Sequence, residues 1–134
     1  MILDSSAVIA ILRAEPDAER FAVAIERARS VRISAATYVE IGAVMDQERD
    51  PVLSRRVDDL LDIAGTVIEP VSPEQARVAR AAYRDFGKGS GHRAKLNFGD
   101  CFAYALAKTA GEHLLFKGDD FGHTDVEAAS SDVR

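Results

Sequence analysis

Short apolar runs alternate with helix-patterned segments along the whole chain, and this alternation constrains the fold more than any other feature. The runs are "MIL" at the start, "VRIS" at 31–34, "TVIEPV" at 66–71 and "HLLF" at 113–116. Near-continuous apolar strands separated by helices read as a parallel sheet covered on both faces. The expected architecture is α/β in three layers, α/β/α, around a central, mainly parallel sheet of four to five strands.

The helices between these runs carry recognisable start and stop signals. Residues 5 to 13 follow Asp4, Ser5 and Ser6, any of which can cap a helix. Pro16 suits a first helical position, and Phe21, Ala24, Ile25 and Ala28 then form one apolar stripe. Ser34 can cap "AATYVEIGAVMDQER", with Tyr38, Ile41 and Met45 as its core line. Asp50-Pro51 starts a helix whose Leu53, Val57, Leu60, Leu61 and Ala64 share a face and which Gly65 stops. Ser72 with Gln75 reads as a capping box and Pro73 as a first-turn residue, so "PEQARVARAAYRDF" is a helix. Residues 87–97, "GKGSGHRAKLN", read as a loop, "GDCFAYALAKTAG" as a helix, and the tail "AASSDVR" as frayed.

Composition narrows the class. With 134 residues, 47% hydrophobic and 29% charged, residues 1–134 are expected to form one domain. No apolar run approaches the roughly 18 to 20 residues of a membrane crossing, and Asp4 interrupts any signal-peptide pattern, so a cytoplasmic location is expected. Cys101 is the only cysteine, which excludes an internal disulfide and fits a small buried hydrophobe. The net charge of −5 gives no global sign of nucleic-acid affinity, although a sum does not report placement.

Placement is informative for the acids. In open parallel sheets ligands bind beyond the carboxyl ends of the strands. Asp4 ends the first strand, Asp119 follows the fourth beside Gly118 and Asp120, Asp100 opens the helix leading to that strand, and Glu40 lies a turn and a half into the helix after the second. Glu40 has Ala36, Ala43 and Val44 as its helical neighbours, surroundings in which a lone carboxylate is costly unless compensated. Each acid alone has a plainer reading: Asp4 as a cap, Asp100 as a complement to a helix N-terminus, Asp119 as an Asx-turn residue, and Glu40 as an arginine partner. Together they would repel one another and take up protons, penalties that a divalent cation removes. An all-oxygen set favours Mg²⁺ or Mn²⁺ over Zn²⁺, and His92, His113 and His123 are too scattered for a zinc site. Such a set suits metal-assisted hydrolysis of a phosphodiester. Phosphates need cationic help near an acidic cleft; Arg84, Lys88, His92, Arg93 and Lys95 bracket the glycine-rich loop ahead of Asp100 and suit a flexible phosphate clamp, with Lys117 and Arg13 as secondary candidates.

The sequence resembles the PIN-domain family of ribonucleases, and within it the VapC toxins of bacterial toxin-antitoxin pairs. "MILDSSAVIAIL" is similar to the opening strand and acid, "SAATYVEIGAV" to the second acidic motif, "LNFGDCFAYALAKTAG" to the third and "LLFKGDDFGHTDV" to the closing one. The resemblance implies that Asp4, Glu40, Asp100 and Asp119 form a catalytic pocket for Mg²⁺, with Mn²⁺ as substitute, and that Ser6 and Asn97 support it. Lys117 stands where the family often has a hydroxyl residue, which makes Asp120 a rival to Asp119. The resemblance further implies cleavage of tRNA or another structured RNA to inhibit translation and growth, a VapB-like antitoxin, a homodimer and a larger toxin-antitoxin complex. Apolar surface such as Val52, Ile63 and Val67 suits such partners. The alternatives are a non-catalytic RNA- or partner-binding module, and a metal-dependent phosphatase or receiver-like domain; "LDSS" lacks the paired acids of the latter two.

Overall fold

A computed structural model describes residues 1–129. Four strands, β1 (Ile2–Leu3), β2 (Arg32–Ser34), β3 (Val67–Glu69) and β4 (Leu114–Leu115), alternate with six helices, α1 (Ser5–Leu12), α2 (Ala18–Arg27), α3 (Ala35–Asp46), α4 (Pro51–Ile63), α5 (Pro73–Phe86) and α6 (Asp100–Ala110). The strands form one sheet in the order β3-β2-β1-β4. All pairings are parallel, with Ile2 opposite both Arg32 and Leu114, Leu3 opposite Leu115, and Ile33 opposite Ile68.

Alternate side chains of the sheet go to opposite layers, as a period of two requires. Leu3, Ile33 and Leu115 join Val8, Phe21, Ile41, Met45, Val57 and Leu61 under α1–α4. Ile2 and Leu114 join Leu96, Tyr104, Leu106 and Phe121 under α5 and α6. Two cores with one sheet between them are the expected three layers.

The capping signals account for most helix starts. Asp50 accepts hydrogen bonds from the backbone N–H groups of Val52 and Leu53 at 3.0 and 3.4 Å with Pro51 in the first turn, and Ser72 accepts one from Gln75 at 3.1 Å. Only half of that capping box forms, since Gln75 Oε1 is buried without a partner. Gly65 adopts φ 65°, the left-handed stop that a side chain would disfavour. Pro16 does not open α2; Asp17 is the N-cap and the helix starts at Ala18. The expected frayed tail is held at its first two residues: Ala128 bridges Leu114 in parallel, and the Ala129 N–H donates to the Leu114 carbonyl at 2.8 Å. The rest of that tail lies outside the described residues.

The chain moves from β1 outward through β2 to β3, then returns to place β4 on the other side of β1. This reversal opens a crevice at the carboxyl ends of β1 and β4, the position where open parallel sheets bind ligands. Among the described residues no helix is long and apolar enough to cross a membrane.

Candidate active site

Asp4 leaves the carboxyl end of β1 and doubles as the cap of α1. Its Oδ2 accepts from the Ser6 N–H at 3.0 Å and from the Ser6 hydroxyl at 2.5 Å. The other oxygen, Oδ1, is buried and has no partner. The same Ser6 hydroxyl accepts from the Lys117 N–H at 2.9 Å, so one side chain ties the first helix to the segment after β4. The carboxyl of Asp4 is 2% exposed; burial pushes it up to about 6, the Ser6 donors hold it back, and the charge of Glu40 pushes it further.

Glu40 enters the same region from α3. Its Oε1 is also buried and unpartnered, and a methyl group placed on Gly99 would lie 1.9 Å from its Oε2. The carboxylate therefore rests against the first turn of α6, where the helix dipole favours negative charge. Asp100 opens that helix. The Asn97 N–H donates to Asp100 Oδ2, and the Asp100 N–H donates back to Asn97 Oδ1, each at 2.9 Å, which fixes the carboxylate where Gly99 supplies no side-chain cap. Burial pushes Asp100 up to about 7, the Asn97 backbone bond opposes this, and the charges of Asp4, Glu40 and Asp120 add to it.

The structure thus brings Asp4, Glu40 and Asp100 to the crevice with their supports Ser6 and Asn97. In the closing loop both Asp119 and Asp120 are exposed, and the charge that reaches Asp100 is that of Asp120. Among the described residues no three acidic, histidine or cysteine side chains stand close enough to enclose an ion; the acids act on one another by charge without a finished coordination sphere. Two buried, unpartnered carboxylate oxygens in an all-oxygen set fit a hard divalent cation. Thr37, one turn before Glu40 on α3, likewise buries a hydroxyl without a partner. Sequence reading missed it, although a polar residue three positions before a buried acid on one helix face was a usable signal.

The cations divide into two groups. Lys117 points away from a phosphate role, pairing with Glu15 at 2.8 Å and Asp17 at 3.2 Å, and Arg13 pairs with Glu48 at 3.0 Å. Lys88, Arg93 and Lys95 are exposed on the glycine-rich loop, while Arg84 pairs with its neighbour Asp85. Part of the glycine-rich loop is anchored. Ala94 and Leu96 are fully buried, Lys88 N–H donates to the Leu96 carbonyl and Leu96 N–H to that of Phe86, at 2.7 and 2.9 Å. His92 stands edge-on to Phe86, 4.9 Å between ring centres, and accepts from the Ala94 N–H at 3.0 Å. Cys101 is buried and free, with burial pushing its thiol up to about 11.

Fold and crevice define a class, the three-layer parallel α/β domains that gather carboxylates at a topological switch point. Within that class the chain belongs to the PIN domain family, whose model matches residues 1–127. It is 59% identical to ribonuclease VapC28 of Mycobacterium tuberculosis over 129 residues, covering 96% of this chain and 97% of that protein. VapC ribonuclease Mb0625 of Mycobacterium bovis matches to the same extent, and ribonuclease VapC42 of Mycobacterium tuberculosis is 52% identical over 96% of this chain and 98% of its own. Membership of this family sets aside the receiver and phosphatase alternatives.

Proposed function

We propose that residues 1–134 act as a single-domain ribonuclease, the toxin of a toxin-antitoxin pair, which hydrolyses RNA phosphodiesters with a divalent cation, Mg²⁺ or in its place Mn²⁺. The names of the VapC relatives support the ribonuclease reading. The observation that carries the chemistry is the pair of buried carboxylate oxygens without partners, Asp4 Oδ1 and Glu40 Oε1, beside an Asp100 whose pKa burial and like charges push up to about 7.

Asp4, Glu40 and Asp100 would hold the cation, and the reach of Asp120 to Asp100 supports it over Asp119 as the fourth acid. When bound, the cation would activate water and stabilise charge on the phosphate oxygens. The protein's own part is positioning. Ser6 occupies one oxygen of Asp4 and leaves the other without a partner, and the Asn97 N–H holds Oδ2 of Asp100. Lys88, Arg93 and Lys95 would receive the RNA backbone, a cytoplasmic substrate. An antitoxin of VapB type, a second copy of the chain and a larger complex of both are the proposed partners, for which the exposed Val52 and Ile63 offer apolar surface.

The test is cleavage of cellular RNA by the purified chain across a Mg²⁺ titration, with the new 5′-phosphate ends sequenced. Cleavage that requires the ion and is lost in Asp4→Asn and Asp100→Asn is the expected result, with Asp120→Asn more damaging than Asp119→Asn. Undiminished cleavage in Asp4→Asn overturns the assignment. RNA binding without cleavage at any Mg²⁺ or Mn²⁺ concentration would instead favour a non-catalytic module.

A further inference from the structure

Between α5 and α6 lies a second feature that the proposed chemistry does not use. Phe98 is 72% exposed and Tyr83 42% exposed, an unusual amount of aromatic surface for a chain with 7% aromatic residues. The two rings border a cavity of about 310 Å³ between α5 and α6, with Ala79 and Cys101 also in its lining and Phe102 and Arg80 at its sides. Phe102 braces Phe98 edge-on, 5.1 Å between ring centres at 83°. The volume falls in the range of small-ligand sites, and the walls are mostly carbon.

Its surroundings are cationic although the molecule as a whole is acidic. Arg77, Arg80 and Arg84 recur along α5 at the spacing that puts them on one helical face, and all three are exposed. Arg84 is held by Asp85; Arg77 and Arg80 have no ion pair among the described residues. An apolar slot beside unpaired arginines suits a ligand that is flat and aromatic and carries negative charge next to the ring. Sequence continuity links the slot to the crevice: Phe98 precedes Gly99, against which the Glu40 carboxylate rests, and Asp100 follows. Phe98 stands in the turn that leads into α6, two residues before Asp100.

We infer that the cavity walled by Tyr83, Phe98 and Phe102 seats an unpaired base of the RNA presented to the acids, with Arg77 and Arg80 meeting its flanking phosphates. Single-stranded RNA is commonly held by stacking of splayed bases on aromatic rings with arginines along the backbone. The inference rests on RNA being the substrate, but it concerns binding and not cleavage. It adds a specificity element to the acidic crevice: stacking here selects unpaired over paired RNA near the cut.

The probe is a 12-nucleotide single-stranded oligouridylate and its abasic counterpart with the same sugar-phosphate chain, bound to the full chain in EDTA so that no cleavage intervenes. Fluorescence anisotropy should show the wild type preferring the base-bearing strand by roughly tenfold or more. Phe98→Leu should lose most of that preference while Phe98→Trp retains it, and Arg80→Ala should weaken both strands alike. Circular dichroism melts are expected to be unchanged, because Phe98 is a surface ring. Equal binding of the two strands by the wild type, or a preference that Phe98→Leu keeps, overturns the inference. So does a wild-type dimer that Phe98→Leu converts to monomers with RNA binding intact, which would give this face to a second copy. Failure of cleavage in Mg²⁺ with the Phe98-dependent preference preserved would reject the nuclease reading and leave the base site standing.

Discussion

Asp4 and Asp100 hold their protons more tightly in the folded chain than an unfolded carboxyl would. Their folded values, about 6 and about 7, lie above the ordinary 3.8. A raised acid contributes stability that is full below the unfolded value and is lost as pH climbs through the folded one. Without divalent ions, the melting temperature should therefore fall between about pH 5 and pH 8. Asp4→Asn removes part of that dependence and should stabilise the metal-free protein at pH 8 by on the order of 1 to 3 kcal/mol, while eliminating cleavage. Thermal melts in EDTA check this; an Asp4→Asn protein less stable than wild type at pH 8 would contradict the electrostatic account. Ser6 works in the other direction. Its hydroxyl both donates to Asp4 and accepts from Lys117, so Ser6→Ala leaves a carboxylate and an N–H short of a partner. Chemical denaturation should register a loss of about 1 to 2 kcal/mol, together with reduced cleavage.

At the scale of elements, α6 meets α3 through a glycine. Gly99 has helical dihedrals of −63° and −38°, so its backbone accepts alanine, and the only intrusion is a methyl 1.9 Å from Glu40 Oε2. A flexible carboxylate can swing aside. Gly99→Ala should thus change stability by less than about 1 kcal/mol yet lower kcat/KM at least tenfold, a split that melts and steady-state kinetics would show together. This contact was not legible in the sequence, because it depends on how two helices far apart in the chain cross. Other elements were legible for identifiable reasons. Asp50-Pro51 and Ser72-Pro73 state their helix starts locally, and the strands declare themselves by apolar runs between helices. Pro16 misled because a turn can use the same fixed φ that a first helical residue uses. The anchoring of the glycine-rich loop was not legible, because glycine spacing says nothing about the two buried residues, Ala94 and Leu96, that pin it. Asp4, Glu40 and Asp100 could be picked out from their places after strands and in helices, whereas the choice between Asp119 and Asp120 turns on a loop geometry that adjacent identical residues cannot encode.

Across the whole molecule, charge is distributed unevenly. Lys117 and Arg13 are bound to acids of the chain itself, while Lys88, Arg93 and Lys95 face solvent. Replacing those three with alanine should flatten the plot of log binding constant against log salt for single-stranded RNA by about 2, given roughly 0.7 per phosphate neutralised. Lys117→Ala and Arg13→Ala should leave the slope alone; equal slopes for all variants would remove the loop from the interface. The order β3-β2-β1-β4 has an effect on when activity can arise. The central strand waits for the last one, since the Asp4 N–H donates to the Leu115 carbonyl at 3.0 Å and Ser6 is satisfied by Lys117. Until that strand has paired, the Asp4 N–H lacks its acceptor and the Ser6 hydroxyl lacks the Lys117 donor, so the first acid keeps only its local Ser6 bonds and gains its full setting late in folding.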